Sequence, residues 1–493
     1  MLPLPPPGPA PKPLPIKTVE TQKTLAIETK DDDDLSFDEN EFESPKTLDL
    51  LIDLDSDDFN TRNKAINELS KNKDEALFNA LVKVVAKSEG VLRQSSIKVL
   101  GGLNNIQAAY SLAPLLKEED TELVLDAIDA LENLLLTINE RNELELKKNI
   151  DSKHLDFASQ ALIECLKKYE NTDEHYYLSL SAALILGHLG KTEASEILVG
   201  CLGNSSEKMR NRKQAKDALS NIKDIQTLEK VAVLLSDKYP MRTREYAGEV
   251  VNNLAKLGVA NTSTTDALVT CLKDYDNRLR RIASEALGNV KDVRTIDNLV
   301  EALEKDNDPT VSTNAAFAIS KMDKVQGIPA LYKVFSTNNN SRIKYNVLEA
   351  LTSTNHHIIV PALLVAIKDF SLGHEAKERF QSLSNEVLNK GLNKLLEDSN
   401  PKNRFYAIVS LSQTNDSRVI PHIVRRMVHP DEELQIRRLG EEVLRSLPGD
   451  IVKEGLEKCK SDSNEMVQSY AKEYLVEIKI KDTKKEEVTE GTA

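Results

Sequence analysis

The sequence predicts an all-α solenoid of about thirteen helix pairs, and three observations carry that prediction. One short pattern returns along most of the chain: an apolar residue, often a cation, a small residue, another apolar or small one, then leucine or isoleucine. It reads Leu279-Arg280-Arg281-Ile282-Ala283-Ser284-Glu285-Ala286-Leu287-Gly288, then Val311-Ser312-Thr313-Asn314-Ala315-Ala316-Phe317-Ala318-Ile319, then Ile436-Arg437-Arg438-Leu439-Gly440-Glu441-Glu442-Val443-Leu444. The returns are roughly 30–35 residues apart, the length of one helical hairpin. Small residues also hold one register, at Ala65, Ala127, Ala182, Ala215, Ala247, Ala283, Ala315, Ala407 and Ala471. A small side chain there lets neighbouring helices approach closely. Finally, polar turns precede the motif helices: Asp274-Tyr275-Asp276-Asn277, Asp306-Asn307-Asp308-Pro309, Asp398-Ser399-Asn400-Pro401 and His429-Pro430-Asp431. Asp, Asn and Ser cap helices, and Pro is tolerated in the first turn.

Taken from the N-terminus, residues 1–45 read as a disordered tail. Pro3, Pro5, Pro6, Pro7, Pro9, Pro11, Pro13 and Pro15 impose extended geometry. Asp31, Asp32, Asp33 and Asp34 repel one another, and Leu35, Phe37 and Phe42 are too few to build a core. Residues 46–480 read as the solenoid. Its first helices are amphipathic, as in Asp266-Ala267-Leu268-Val269-Thr270-Cys271-Leu272. Two stretches depart from the period and are expected to bend the array: a charged insertion near residues 137–153 and a Gly/Ser/Thr-rich connection near 256–265. The unit around Phe370 and Leu383 fits the motif poorly and reads as a distorted repeat. Residues 481–493 form a charged tail expected to fray.

Composition narrows the function classes. Aromatics are 4% of the chain and Trp is absent, which suits small helices packed with Ala, Leu, Val and Ile. No run of about 18 apolar residues exists, so membrane insertion is not expected. The proline-rich start has no apolar core of a secretory signal. Cys165, Cys201, Cys271 and Cys459 lie far apart and read as reduced, structural residues of a cytoplasmic protein. The net charge of −14 disfavours nucleic acid as a partner. The sequence contains no HExxH, CxxC, P-loop or GxSxG. His374-Glu375 is a single His-Glu pair, and His356-His357 sit together in a turn. No catalytic residue, metal ligand or cofactor is assigned.

These repeats resemble the HEAT repeat family, in particular the short HEAT-like repeats of the phycobilisome-lyase type, over about nine-tenths of the chain. The resemblance implies an array whose second helices line a concave face. The family includes scaffolds, transport adaptors, chromatin-associated proteins and a few enzymes. It therefore implies a non-catalytic scaffold or adaptor that binds protein partners on that face. The alternatives are a bilin lyase-type enzyme and a nucleic-acid-binding HEAT protein with a basic concave stripe. HEAT-like deoxyhypusine hydroxylases hold iron with several His-Glu pairs, against one here. HEAT-like DNA glycosylases rely on aromatic side chains, which the absence of Trp disfavours.

Two columns of cations stand out when the first apolar residue of the motif is the reference. The next position is basic at Arg62, Arg93, Arg212, Arg244, Arg280, Lys344, Arg404 and Arg437. The family resemblance implies that these pair with a turn Asp of a neighbouring repeat, as a structural ladder. The preceding position is basic at Arg210, Arg242, Arg278, Arg342 and Lys402, with Lys213, Arg281 and Arg438 nearby. The family pattern does not require a cation there. This second column reads as a stripe for a protein or peptide partner with an acidic surface, since Arg grips carboxylates bidentately. The tail offers an intramolecular candidate: Asp31–34 for charge, with Leu35, Phe37 and Phe42 as anchors, docking in the groove at a high effective concentration.

Overall fold

The structure, a computed structural model, describes residues 24–27, 35–144 and 152–490. Among these, thirteen helix pairs follow one another along the chain. Five lie in a compact unit, Met1–Ile222, and eight in a second, Lys223–Ala493. Each first helix packs on its second helix, and second helices stack in order along a run of each unit. In the first unit Gly90–Gly102, Thr121–Leu144, Tyr176–His188 and Met209–Leu219 form such a row; in the second, Met241–Lys256, Asn277–Val290, Pro309–Ser320 and Ser341–Thr352 do.

Side-chain size sets that stacking. The alanine register falls on the seventh residue of each second helix, and all nine alanines are buried. A further small pair lies one turn on. Gly101, Gly187 and Gly288 each occupy the twelfth residue of their helix, facing Ala130, Ala218 and Ala318 of the next second helix. A Cβ on Gly288 would come within 2.8 Å of the Ala318 Cα, and one on Gly101 within 2.7 Å of the Ala130 Cα. Only glycine permits that approach.

Five of the turns between paired helices share one construction. In Asp274-x-Asp276, the Asp274 Oδ1 accepts from the Asp276 N–H at 2.9 Å, and the Asp276 Oδ1 then accepts from the Arg278 N–H at 2.9 Å. The same double turn recurs at Asp306/Asp308, Asn338/Asn340, Asp398/Asn400 and Asp462/Asn464. The first residue shapes the turn and the second caps the coming helix.

Several segments differ from the sequence reading. The connection near 256–265 is a short turn. Helix Met241–Lys256 closes with Gly258 at φ +83° and a Val259 N–H donating to the Leu254 carbonyl at 2.9 Å. Asn261 then caps Thr262–Cys271. Near 137–153, helix Thr121–Leu144 runs on through much of the stretch, and residues 145–151 lie outside the described residues. The backbone of 481–490 continues helix Glu465–Glu490, as its lack of Gly and Pro allows. Around Phe370 and Leu383, helix Gly373–Ser382 packs on its partner Ile359–Ala366. Arg418 reaches back to hold its end, donating from Nη1 to the Leu383 carbonyl at 2.6 Å and from Nη2 to that of Gln381 at 2.9 Å.

Within residues 1–45, the polyproline stretch and Asp31, Asp32, Asp33 and Asp34 lie outside the described residues. Two short segments of this region do take up structure: Thr24–Ile27 pairs antiparallel with Leu35–Asp38, Leu25 opposite Phe37. Phe37 is 2% exposed and Phe42 7%, their ring centroids 6.4 Å apart. This segment packs on helix Pro45–Asp53. The Glu43 N–H also donates to the buried Asp74 carboxylate at 2.9 Å, which caps helix Glu75–Lys87 as well. Composition argued against order here. The two rings find an apolar surface at the end of the array, which a single segment in isolation lacks.

Candidate functional site

The two cation columns occupy fixed helical positions. The reference-plus-one residues, Arg62, Arg93, Arg212, Arg244, Arg280, Lys344, Arg404 and Arg437, are each the fourth residue of a second helix. From there the arginines reach back to carbonyls where the first helix ends: Arg62 to Ser56 (2.6 Å), Arg93 to Val85 (2.9 Å), Arg212 to Leu202 (3.1 Å), Arg244 to Leu235 (3.0 Å), Arg280 to Asp274 (2.9 Å), Arg404 to Asp398 (2.7 Å) and Arg437 to His429 (2.7 Å). They thereby satisfy acceptors that a helix C-terminus leaves open. Lys344 instead places its Nζ 5.8 Å from the centre of the Phe335 ring.

Four of these arginines also meet a carboxylate of the following repeat. Arg93 pairs with Glu118, Arg244 with Asp274, Arg280 with Asp306 and Arg404 with Glu432. The last two are bidentate. One break in the series is instructive. The repeat after Arg280 carries Ser312 in place of the arginine, and the next turn carries Asn338 in place of the aspartate. Ser312 donates to the Leu303 carbonyl at 2.9 Å, and Asn338 donates to Glu304 at 3.2 Å. A buried carboxylate without its cation is costly, so the two positions become neutral together.

The outer column behaves differently. Arg210, Arg242, Arg278, Arg342 and Lys402 are each the second residue of a second helix, beside the turn. A cation there opposes the helix dipole unless a carboxylate answers it. At Arg242 and Arg278 it is answered, as is the nearby Arg281. Arg242 pairs with Glu245 at 3.0 Å, Arg278 with its own N-cap Asp276 at 2.8 Å, and Arg281 with Asp308 at 2.5 Å. The Arg278 guanidinium holds the Asp276 carboxyl below the usual carboxylate range, and Arg281 does so for Asp308. Farther along the N-caps are the amides Asn340 and Asn400. Arg342 and Lys402 are exposed there, Arg438 is exposed on Leu434–Ser446, whose N-cap is Glu433, and none of the three makes an ion pair among the described residues. Arg210, in the first unit, is exposed likewise, and its charge is felt at Glu132.

Sequence reasoning missed the neighbours of these open cations. Tyr345 lies on the helix of Arg342, with the Arg379 guanidinium 5.7 Å from its ring centre. Phe405 and Tyr406 follow Lys402 and are 36% and 64% exposed. Arg418 was also missed. Its pairing with Asp416 repeats the Asp-x-Arg spacing of Asp276/Arg278 and Asp292/Arg294, a signal readable in sequence. Acidic residues hold the ninth position of several second helices, at Glu249, Glu285, Glu349 and Glu442, so the face is not uniformly basic.

Other singled-out groups have ordinary surroundings. His374 is exposed, 3.6 Å from Glu378, while Glu375 pairs with Arg379. The His356 and His357 rings lie tilted against each other, centroids 4.2 Å apart. All four cysteines are buried free thiols, and burial pushes the Cys201 and Cys459 thiols up to about 12. Among the described residues, no group of three or more His, Cys, Asp or Glu is placed to hold a metal ion, and no helix is long and apolar enough to cross a membrane.

Residues 242–320 and 265–352 match the family model of HEAT repeats. No curated protein matches the chain. Among solved structures the chain is similar to Kap121p, at 13% identity and TM-score 0.46, over 81% of this chain and 49% of that one. It is similar to importin beta at 14% identity and TM-score 0.37, over 83% and 57%. A third likeness is to the structure describing a phosphorylation switch that controls the interaction between cadherin and beta-catenin, at 14% identity and TM-score 0.39, over 87% and 100%. The chain spans about half the length of the Kap121p structures it matches.

Proposed function

We propose that this HEAT-repeat chain works as a scaffold or adaptor, holding a protein partner with an acidic surface against the exposed face of its second helices. The observation that carries this reading is a set of exposed cations that make no ion pair among the described residues: Arg342, Lys402 and Arg438, with Arg210 in the first unit. The helical position of Arg210, Arg342 and Lys402 is neutralised internally at Arg242 and Arg278, and that of Arg438 at Arg281. A cation at a helix N-terminus contributes nothing to that helix, so its purpose lies outside the fold. The arginine series beneath serves architecture, tying repeat to repeat and leaving the outer row for recognition. Four buried thiols suit a reducing compartment such as the cytoplasm.

The test is affinity capture from source lysate at two salt concentrations. It compares wild type with a variant carrying Arg210→Glu, Arg342→Glu, Lys402→Glu and Arg438→Glu, with circular dichroism confirming equal helix content. The variant is expected to lose specific proteins that wild type retains. Identical capture by both would sink the reading. Nuclease-sensitive capture with a steep salt dependence would replace it with a nucleic-acid role.

A further inference from the structure

Resting on that scaffold reading, we propose that the second-helix face between Ser341 and Ser446 recognises an acidic peptide segment that carries an aromatic side chain. Two independent features coincide there. Arg342 and Lys402 are exposed at helix starts whose caps are the neutral Asn340 and Asn400, Arg438 is exposed one turn into Leu434–Ser446, and none of the three makes an ion pair among the described residues. On the same helices, Tyr345, Phe405 and Tyr406 stand at the fifth and sixth residues, one turn from those cations. Tyr406 is 64% exposed, and its ring lies edge-on to that of Phe405 with centroids 6.0 Å apart.

The neighbouring helices show why the combination is specific to this stretch. Asn277–Val290 also carries two outward arginines, yet Asp276 and Asp308 consume both. The helix between the open pair, Gly373–Ser382, sends one side chain towards each of them. Its Arg379 lies over Tyr345, and its Gln381 donates to the Thr414 carbonyl at 3.1 Å, beside the helix of Phe405. Exposed aromatics flanked by unpaired cations offer two contacts at once. Carboxylates pair with the guanidinium and ammonium groups, and an aromatic ring stacks on Phe405 and Tyr406.

The chain's own acidic segment is not the occupant. Its anchors Phe37 and Phe42 are buried within the first unit against helix Pro45–Asp53. They cannot serve a groove on the second unit at the same time. The occupant is a segment of another protein.

The probe is a fluorescent peptide, Glu-Glu-Phe-Glu-Glu-Phe-Glu-Glu, titrated by anisotropy into the full chain beside an all-glutamate peptide of equal length. Saturable binding is expected, with the phenylalanine peptide at least about fivefold tighter, the order expected of one aromatic contact. Arg342→Glu with Lys402→Glu is expected to weaken it about tenfold or more. Phe405→Ala with Tyr406→Ala is expected to remove the preference for phenylalanine while leaving all-glutamate binding in place. Arg278→Glu, whose cation is already consumed, serves as the control and shifts affinity less than about twofold. No saturable binding, or equal binding by wild type and both double variants, overturns the proposal. If those variants still lose no partner in lysate capture while the quadruple charge reversal does, this inference fails and the scaffold reading stands.

Discussion

Arg404 grips Glu432 with two parallel hydrogen bonds, Nε to Oε2 at 3.0 Å and Nη2 to Oε1 at 2.7 Å, joining successive repeats across 28 residues of chain. The Glu432 side chain is fully buried and that of Arg404 is 8% exposed. Arg426 pairs with the same carboxylate from the other side. Burial pushes the Glu432 pKa up, but the hydrogen bonds from Arg404 and Arg426 outweigh it and hold the group below its ordinary value. Glu432→Ala leaves two desolvated cations unanswered and is expected to cost about 3–5 kcal/mol. Urea denaturation measures it, and a change below about 1 kcal/mol would show that water replaces the carboxylate. The sign with pH follows from a depressed acid: the contribution is present above the unfolded value of 4.5 and is lost as pH falls through the folded one. The variant should therefore show a shallower acid limb than wild type.

His422 supplies a second pH dependence with a different window. Its ring lies between two amides, Nδ1 3.0 Å from the Asn393 Oδ1 and Nε2 2.9 Å from the Asn389 Oδ1. A neutral ring donates from one nitrogen and accepts on the other, so one amide turns its NH2 towards it. Burial, with the nearby Arg425 charge, lowers the pKa from 6.5 to about 4, against a smaller opposing effect of Asp462. The unfolded chain takes up a proton first, so stability is full above about 6.5 and falls between there and about 4. His422→Gln should flatten the loss between neutral pH and about pH 5 in urea midpoints. An unchanged profile would assign the loss to other groups.

Gly288 tests the close approach of second helices. Alanine is the better helix former by about 1 kcal/mol, so an open site would gain from Gly288→Ala. The added methyl would lie 2.8 Å from the Ala318 Cα, which belongs to backbone and cannot swing aside. Overpacking of that kind costs about 1–3 kcal/mol, so the net expectation is a loss. Gly200, where a Cβ meets nothing within 4 Å, is the control and is expected to gain from the same change. A stabilised Gly288→Ala would mean that the helices can slide apart at little cost.

Local periodicity carried most of the architecture. Ala283, Ala315 and their counterparts mark the helix contact because one helical position faces the same neighbour in every repeat. The arginines at Arg244, Arg280 and Arg404 were legible for the same reason. Which carboxylate each meets was not, because that depends on how one repeat sits on the next. Arg278 and Arg342 occupy the same position in sequence. They differ because the cap beside the first is Asp276, which pairs with it, while the cap beside the second is an amide. Phe405 and Tyr406 sit at positions that hold polar residues in some repeats, such as Lys213 and Asn346, and apolar ones in others, such as Leu180 and Ile282, and only their exposure separates a surface from a core. Around Phe37 the local composition argued for disorder, and the stabilising contacts come from a helix that begins at Pro45.

The ordering of that N-terminal segment yields the last prediction. A two-stranded hairpin is marginal by itself, so pairing of Thr24–Ile27 with Leu35–Asp38 depends on the buried rings of Phe37 and Phe42. Repeat arrays need their terminal apolar face covered, and this segment covers helix Pro45–Asp53. Phe37→Ala is expected to release the segment as a whole. The cost is then limited to what docking contributes, about 1–3 kcal/mol, less than a deep-core Phe loses. Hydrogen exchange should accelerate in Pro45–Asp53 and Phe59–Leu69 while the helices of the second unit keep their protection. Unchanged exchange in those two helices would mean that the segment rests on the array without stabilising it. Removal of residues 1–44 should have the same effect on exchange and leave partner affinity unaltered. A rise in affinity would show instead that the acidic segment competes for the partner's surface, as its charge first suggests.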